Sequence, residues 1–509
     1  MARSESSLRH HLAAFFSGGV LSLTRLATGF LRIKYIALAL GTAGVGFLSQ
    51  ATQLQLLAIS LGSLSMAVGI INRMGAYAHA GDRERLSRLL WTSFTVQMTV
   101  SLLLVVAALV TSTYFSGLVF GREAGNAREY FLAVMLSVPF SVAASGYLEG
   151  VLFGDNRYDL YVRASVWATL TGFATTIVLI AIAGLRGAFW SIFASSVLLF
   201  VFFCVFVSRI RPLGDLFRVG FDSSEARALV KFCFVMLITA ASSYLARLWI
   251  QAQVIHAVGV EANGLLHVPL AMTAYYTPFL TNALWGRLYP SVSKSGDDPA
   301  GLHELSTALR LTTPMAGGII VGLLFLKQYL VRIAYSSAFL PATRLMPLQF
   351  FGDMFYFIAL TVSVYFLGRP RLRIYLAGNL AHYVLLVGGT FLLIPSLGVL
   401  AVPAGYTVGS FVLALVSVVW YAHADRSRAG YLTLGIIGAS VGAVLIEALL
   451  SAWNRLYVVQ FLIFVVMSAA CLYILLGRHG LSQFRRRDEL AGAREGEREV
   501  FGATEPASR

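Results

Sequence analysis

Apolar runs about as long as a bilayer is thick follow one another along almost the whole chain, and this constrains the fold more than any motif does. A run of roughly 20 apolar residues crosses a hydrocarbon core of about 30 Å as a helix, which satisfies its own backbone N–H and C=O groups without water. Such windows between residues 11 and 477 give about fourteen helices. With 58% hydrophobic and only 12% charged residues, the 509-residue chain cannot clothe three or four soluble domains. We therefore expect an all-α polytopic membrane protein. The first apolar segment, from about Leu12 to Leu40, is too long for a signal peptide and reads as a retained span. Cys204, Cys233 and Cys471 all fall inside apolar runs, which points to packing and not to a disulfide framework or a thiolate metal site.

The excess of 39 Lys and Arg over 24 Asp and Glu would suggest nucleic acid in a soluble protein, but here it sits in short loops and reports topology. One set of alternate loops carries the clusters Arg83, Arg85 and Arg88, then Arg209, Arg211, Arg218, Arg227 and Lys231, then Arg369, Arg371 and Arg373. The opposite set carries Arg122, Arg128, Arg186, Lys327, Arg332, Arg344 and Arg455. The asymmetry places both termini in the cytoplasm of a multi-pass protein of the cell membrane. No outer loop exceeds about 20 residues, so none has room for a folded catalytic or receptor domain.

Two stretches echo each other. Gly41-Thr-Ala-Gly-Val-Gly46 follows span 1 and Gly259-Val-Glu-Ala-Asn-Gly264 follows span 7, and the 218-residue offset pairs spans 1 to 6 with spans 7 to 12. Internal repeats are a common way to build a transporter around a central site. The expected organisation is an N-terminal lobe over residues 1–210, a cytoplasmic linker over 211–228 and a C-terminal lobe over 229–424. Two extra helices follow over 425–477, and then a disordered cytoplasmic tail over 478–509.

Charges inside spans narrow the function. Arg25, Arg32 and Lys34 all lie in span 1, and insertion scales charge about 2.5–3.5 kcal/mol for a basic residue at a helix centre. Arg25 is too deep to snorkel, Arg32 shares its face seven residues on, and Lys34 is close enough to the outer end for snorkelling or anion binding. Arg247 in span 7 falls one turn from Arg25 under the repeat offset. The set suggests a basic, water-filled cavity that holds an anion; the competing reading is structural pairing with Asp353, Glu149 or helix carbonyls. Asp353 in span 10 and Glu149 in span 4 read as gates or proton carriers, with a capping or pairing role open for Glu149. Glu447 reads as interfacial. Asn379 and His382 share a face of span 11 and are cavity candidates, whereas His256, His267 and His382 have no metal spacing. Pro269 and Pro278 in span 8 each free a carbonyl and permit a kink, as a hinge or as ordinary membrane-helix prolines. No metal or other cofactor is expected.

Walker A, Gly-x-Ser-x-Gly and paired outer acids are all missing from the sequence. That argues against an ATP-driven pump, a hydrolase and a membrane glycosyltransferase or polymerase, and we expect no enzyme. Several stretches resemble the Wzx-type O-antigen and polysaccharide flippases of the multidrug/oligosaccharidyl-lipid/polysaccharide (MOP) superfamily. Leu31-Arg-Ile-Lys-Tyr, running on to Gly46, looks like that family's first helix and turn. Gly69-Ile-Ile-Asn-Arg73 with Gly81-Asp-Arg-Glu-Arg-Leu86 looks like its second loop, and Tyr289-Pro-Ser-Val-Ser293 resembles an element after its eighth span. Leu348-Gln-Phe-Phe-Gly-Asp353, continuing to Leu372-Arg-Ile-Tyr-Leu376, is similar to its Gly-Asp helix. The resemblance covers about residues 10 to 421, so the last two helices are additions. It implies a MATE-like fold of two six-helix lobes related by pseudo-symmetry, and alternating access. The implied partner is an undecaprenyl-diphosphate-linked oligosaccharide, with membrane lipids and other polysaccharide-assembly membrane proteins around it. A glycan polymerase or glycosyltransferase, and a small-molecule exporter of the same superfamily, are the alternatives.

Overall fold

The computed structural model describes residues 2–80, 82–121, 125–155, 157–210, 220–295, 299–369, 372–452 and 457–476. The expected tail and the first half of the expected linker, 211–219, lie outside the described residues. In chain order the helices are α1 (Ala2–Ser63), α2 (Ala67–Ala80), α3 (Arg83–Phe120), α4 (Ala127–Ser141) and α5 (Glu149–Gly154). They continue with α6 (Tyr158–Val207), α7 (Ser223–Ala257), α8 (Val260–Ala283), α9 (Tyr289–Ser295) and α10 (Pro299–Ala334). The series closes with α11 (Met346–Gly368), α12 (Leu372–Leu397), α13 (Ala401–Ala424), α14 (Arg428–Ala452) and α15 (Tyr457–Leu476). π-helical turns over Val142–Leu148 and Leu284–Leu288 join α4 to α5 and α8 to α9. No β-strand occurs among the described residues.

Among the described residues nine segments are long and apolar enough to cross a membrane, and three of them are spans joined end to end. Gly41 breaks α1 with φ 65° and ψ −164°, and Gly184 breaks α6 with φ 54° and ψ −131°. A residue with a Cβ is disfavoured by about 1–3 kcal/mol at such positive φ, and ψ at Gly41 falls where essentially only glycine is found, so each glycine lets an uninterrupted apolar sequence reverse direction. Residues 398–400 divide the third segment, α12 from α13. Splitting these three and adding α8 and α15 recovers the fourteen spans read from the sequence.

The chain packs as two compact units. The first comprises Met1–Pro278, Lys327–Asp353 and Pro370–Leu413, and the second Phe279–Leu326, Met354–Arg369 and Ala414–Arg509. In the first, Met66, Ile70 and Met74 pack with Tyr147 and Phe203, while Phe120, Tyr130, Val134 and Phe189 form a second cluster. Tyr130 and Phe189 stack there with centroids 4.1 Å apart. In the second unit, Gly317 and Gly322 on α10 make notches for Met467 and Phe464 of α15. Arg310 of α10 donates to Thr433 Oγ1 of α14 at 2.7 Å and also to the Ala429 carbonyl. Small residues that let helices approach, with polar groups bridging them, replace the hydrophobic effect as the source of association in lipid. Glu447, read from sequence as interfacial, is fully buried five residues before the end of α14, on the stripe with Val444 and Ser451. The sequence reading missed this because burial against neighbouring helices leaves no mark on a helix's own hydropathy.

Candidate functional site

The repeat meets itself. In the first unit Gly46 of α1 lies against α8, where a Cβ on Gly46 would come within 2.2 Å of the Val260 carbonyl oxygen. A Cβ on Gly264 would come within 1.9 Å of the Thr42 carbonyl oxygen, so both glycines are required by contact and not by dihedral angle. Asn263 Nδ2 donates to the Gly46 carbonyl at 2.8 Å, and Ser49 Oγ is 3.1 Å from His267 Nδ1. Gly46 with Gly264, and Ser49 with His267, are each 218 residues apart. Positions equivalent under a two-fold repeat touch one another only where they sit on its axis, so the axis runs between α1 and α8 here. Gln50, next to Ser49, ties α1 to α3 and α7 by donating to the carbonyls of Val119 at 3.0 Å and Leu248 at 3.2 Å.

Beside this seam is a cavity of about 1160 Å³, formed by α1, the break after it, the π turn after α4, α6, α7, α8 and α12. Arg32 and Arg247 both face it, and no Asp or Glu is among its lining residues. At about 1.5 Å per residue the two arginines lie roughly 13 and 18 Å along their helices from Gly41 and Gly259, so they reach similar depths. The rest of the lining is rich in hydroxyls and amides: Thr52, Gln53, Gln55, Ser141, Ser145, Ser195, Ser196, Thr239, Ser243 and Gln251, with Tyr244, Tyr275, Tyr383 and His267. Each guanidinium presents a planar fork of N–H donors to the cavity, a geometry that suits paired anionic oxygens.

The other residues singled out by sequence are distributed differently. Arg25 does not line the cavity; its Nη2 donates to Tyr161 Oη at 3.2 Å. Glu149 hydrogen-bonds the same tyrosine and lies within electrostatic reach of Arg25, so these three form one cluster. Lys34 Nζ donates to the Arg332 carbonyl at 3.0 Å and to the Tyr335 carbonyl, at the C-terminal end of α10 where free carbonyls suit a cation. Asp353 is fully buried and accepts from Thr273 Oγ1 at 2.6 Å, Tyr276 Oη at 2.5 Å and, more weakly, Gln349 Nε2 at 3.4 Å. Asn379 caps the Tyr375 carbonyl at 2.8 Å, and His382 is buried against Tyr406 with centroids 5.8 Å apart. Neither lines the cavity, although their neighbour Tyr383 does. Pro269 and Pro278 sit inside α8, one residue before and three residues after the lining positions Leu270 and Tyr275.

Sequence reasoning missed a latch at the end of α1–α2 away from Gly41. Arg73 pairs with Glu225 of α7, and Tyr77 Oη donates to the same carboxylate at 2.5 Å. That hydrogen bond, ahead of burial, raises the Tyr77 phenol above its ordinary pKa. Between the cavity and the latch the backbone turns at Leu64 (φ 49°) and Ser65 (φ 52°), both left-handed without being glycine. Non-glycine residues held there cost of order 1–3 kcal/mol each and gather at functional sites. No pattern of residue types signals such a break in advance.

Matches to known proteins cover most of this architecture. The family model described as polysaccharide biosynthesis protein matches residues 53–344. The lipid III flippase of Escherichia coli (strain K12) is 21% identical over 389 residues, spanning 76% of this chain and 92% of that protein. Among solved structures, an inward-facing multidrug resistance MATE family transporter of the MOP superfamily superposes with a TM-score of 0.66 at 14% identity, covering 82% of this chain and 99% of that one. The lipid II flippase MurJ, in an inward closed conformation, superposes with a TM-score of 0.65 at 15% identity, covering 91% and 98%. The chain, with a MOP-superfamily fold and a repeat that touches itself at Ser49 and His267, belongs to the polysaccharide biosynthesis protein family.

Proposed function

We propose that this protein is a flippase that carries an undecaprenyl-diphosphate-linked oligosaccharide, an O-antigen or other polysaccharide repeat unit, from the inner to the outer leaflet of the cell membrane. The observation that carries the reading is the cavity with Arg32 and Arg247 and no acidic lining residue. A diphosphate is multiply anionic and has acceptors only, which suits two guanidiniums. The prenyl tail stays in the bilayer while the head group crosses through the polar cavity, alternately open to each side. In this reading residues 1–210 and 229–424 are the two lobes, α14 and α15 are additions to the second, and both termini are cytoplasmic. Pro269 and Pro278 would let α8 bend as the lobes exchange access. The name of the E. coli relative, a lipid III flippase, supports a lipid-linked substrate for this chain.

An exporter of cationic drugs would need carboxylates in the cavity, and a polymerase or glycosyltransferase would need an acid there to activate a hydroxyl. The test is deletion of the gene with leaflet-resolved assay of lipid-linked glycans. Accumulation of an undecaprenyl-diphosphate-linked unit in the inner leaflet supports the proposal, whereas full-length glycan with a normal leaflet distribution overturns it.

A further inference from the structure

The hydroxyl-rich part of the cavity is not neutral in hydrogen-bonding sense. Thr52 Oγ1 donates to the Leu48 carbonyl at 2.8 Å, Ser145 Oγ to the Ser141 carbonyl at 2.7 Å, and Ser196 Oγ to the Ile192 carbonyl at 2.9 Å. Ser141 Oγ gives its proton to Ser196 Oγ at 2.9 Å. A hydroxyl has one hydrogen and two lone pairs, so Thr52 and Ser145 turn only lone pairs to a ligand, whereas Ser196, which accepts from both Ser141 Oγ and Gln55 Nε2, is fully used in holding Gln55. Gln55 Nε2 is likewise engaged, at 3.0 Å from Ser137 Oγ and 3.2 Å from Ser196 Oγ, which leaves its carbonyl oxygen for the cavity. Gln53 Oε1 and Ser195 Oγ, both of lining residues, are buried without a partner. Unpartnered buried polar atoms are costly unless something fills them, Gln53 Oε1 as an acceptor and Ser195 Oγ in either sense.

This wall carries no charged side chain. The cavity-lining residues of its stretches, 45–68, 141–145 and 192–199, include no Asp, Glu, Lys, Arg or His. Its depth matches that of the arginines: Gln55 and Ser195 lie roughly 21 and 17 Å from Gly41 and Gly184 at about 1.5 Å per residue. The wall is also one-sided, since Thr52 and Gln53 have Leu270 and Ala271 as counterparts under the 218-residue offset, and those too line the cavity.

We infer that the cavity is divided into a donor pole, Arg32 and Arg247, for the diphosphate and an acceptor wall, centred on Thr52, Gln55 and Ser145, that selects an uncharged, donor-bearing sugar next to it. The inference rests on the flippase reading of the same cavity. Sugar hydroxyls and acetamido N–H groups satisfy the lone pairs. A uronic-acid carboxylate, which has acceptors only, would face them unpaired. Gln55 is thus a specificity-determining residue for the sugar, and Arg32 for the phosphate.

The test uses full-length protein in nanodiscs and direct binding of three probes: undecaprenyl diphosphate, the same lipid bearing N-acetylglucosamine, and the same lipid bearing glucuronic acid. Wild type is expected to bind the N-acetylglucosamine lipid roughly tenfold more tightly than the glucuronic-acid lipid, the scale of one or two well-made hydrogen bonds. Gln55→Leu and Thr52→Val should each bring that ratio close to one, while Arg32→Ala should weaken all three probes together. Thr52→Val keeps the shape of the side chain, so it carries the test should Gln55→Leu fail to fold. Equal binding of the two sugar lipids by wild type, or an unchanged ratio in a folded Thr52→Val protein, overturns the acceptor wall. Failure of wild type to bind any of the three lipids overturns the flippase reading itself.

Discussion

Arg25 and Arg32 are seven residues apart on one face of α1, and sequence gave no reason to separate them, yet Tyr161 from α6 engages the first while the second opens to the cavity. Pairing between helices decides which intramembrane charge is available, and it depends on a partner 136 residues away in sequence. We expect Arg32→Ala and Arg247→Ala to lower transport of lipid-linked glycan at least tenfold with the protein still in the membrane, and Arg→Lys to restore it only in part, because Lys keeps charge but loses the fork. Transport at wild-type rate in proteoliposomes of both alanine variants would remove these residues from the site. Asp353 gives a second contrast. Its partners Thr273, Tyr276, Tyr406 and Gln349 are hydroxyls and an amide, so the sequence alternative of a structural pair between Arg25 and Asp353 is not what the geometry offers. Asn at 353 can keep its oxygen toward Thr273 and Tyr276 while Gln349 flips to present Oε1, an atom with no present partner. Asp353→Asn should therefore accumulate to normal levels. Asp353→Leu leaves the hydroxyls around it without their acceptor, at about 1–3 kcal/mol each, and should fall in abundance on Western blots of membranes. If Asp353 carries a coupling proton, the abundant Asn variant loses transport driven by an imposed pH gradient.

At the scale of elements, glycine has two separate roles that a sequence pattern merges. Gly184 holds a left-handed turn with no heavy atom within 4 Å of a Cβ, so Gly184→Ala should cost only the conformational term, about 1–3 kcal/mol in a thermal-shift assay. Gly264→Ala forces a Cβ into the Thr42 carbonyl and should be the more damaging change, although Gly264 has no left-handed φ. Equal losses in the two variants would contradict the distinction. The turn glycines were legible because reversal needs them wherever apolar runs abut. The 46/264 contact was visible only as a repeated spacing whose meaning waited on packing. The latch at Glu225 belongs to this scale as well. Glu225→Gln weakens its hold on Arg73, and a Ser65→Cys thiol in the same chain should then react severalfold faster with a membrane-impermeant maleimide applied from the latch side. An unchanged labelling rate would show that the latch does not control entry.

For the whole molecule, hydropathy gave the number of spans because each must satisfy its own backbone, whereas the composition of the two packing units depends on side chains that meet across hundreds of residues. The last two helices show the difference. By sequence they are appendages, yet Arg310, Gly317 and Gly322 on α10 are built to receive them. Truncation after Ala424 would uncover those notches and the guanidinium of Arg310, and should reduce detergent-extractable monodisperse protein well below wild type in fluorescence-detected size exclusion.

The hydrogen bond between Ser49 and His267 has a consequence for ancestry. Where a duplicated half meets its own copy, any substitution also changes the surroundings of its twin, so drift at the axis must proceed in matched steps. A turn away that restraint is gone, and Thr52 and Gln53 have Leu270 and Ala271 as their counterparts under the same offset. If the cavity carries a glycan as proposed, homologues should keep positions 46, 49, 264 and 267 as a co-varying quartet while positions 52 and 53 vary with the glycan carried, so that the record of duplication and the record of cargo would be written a few ångströms apart.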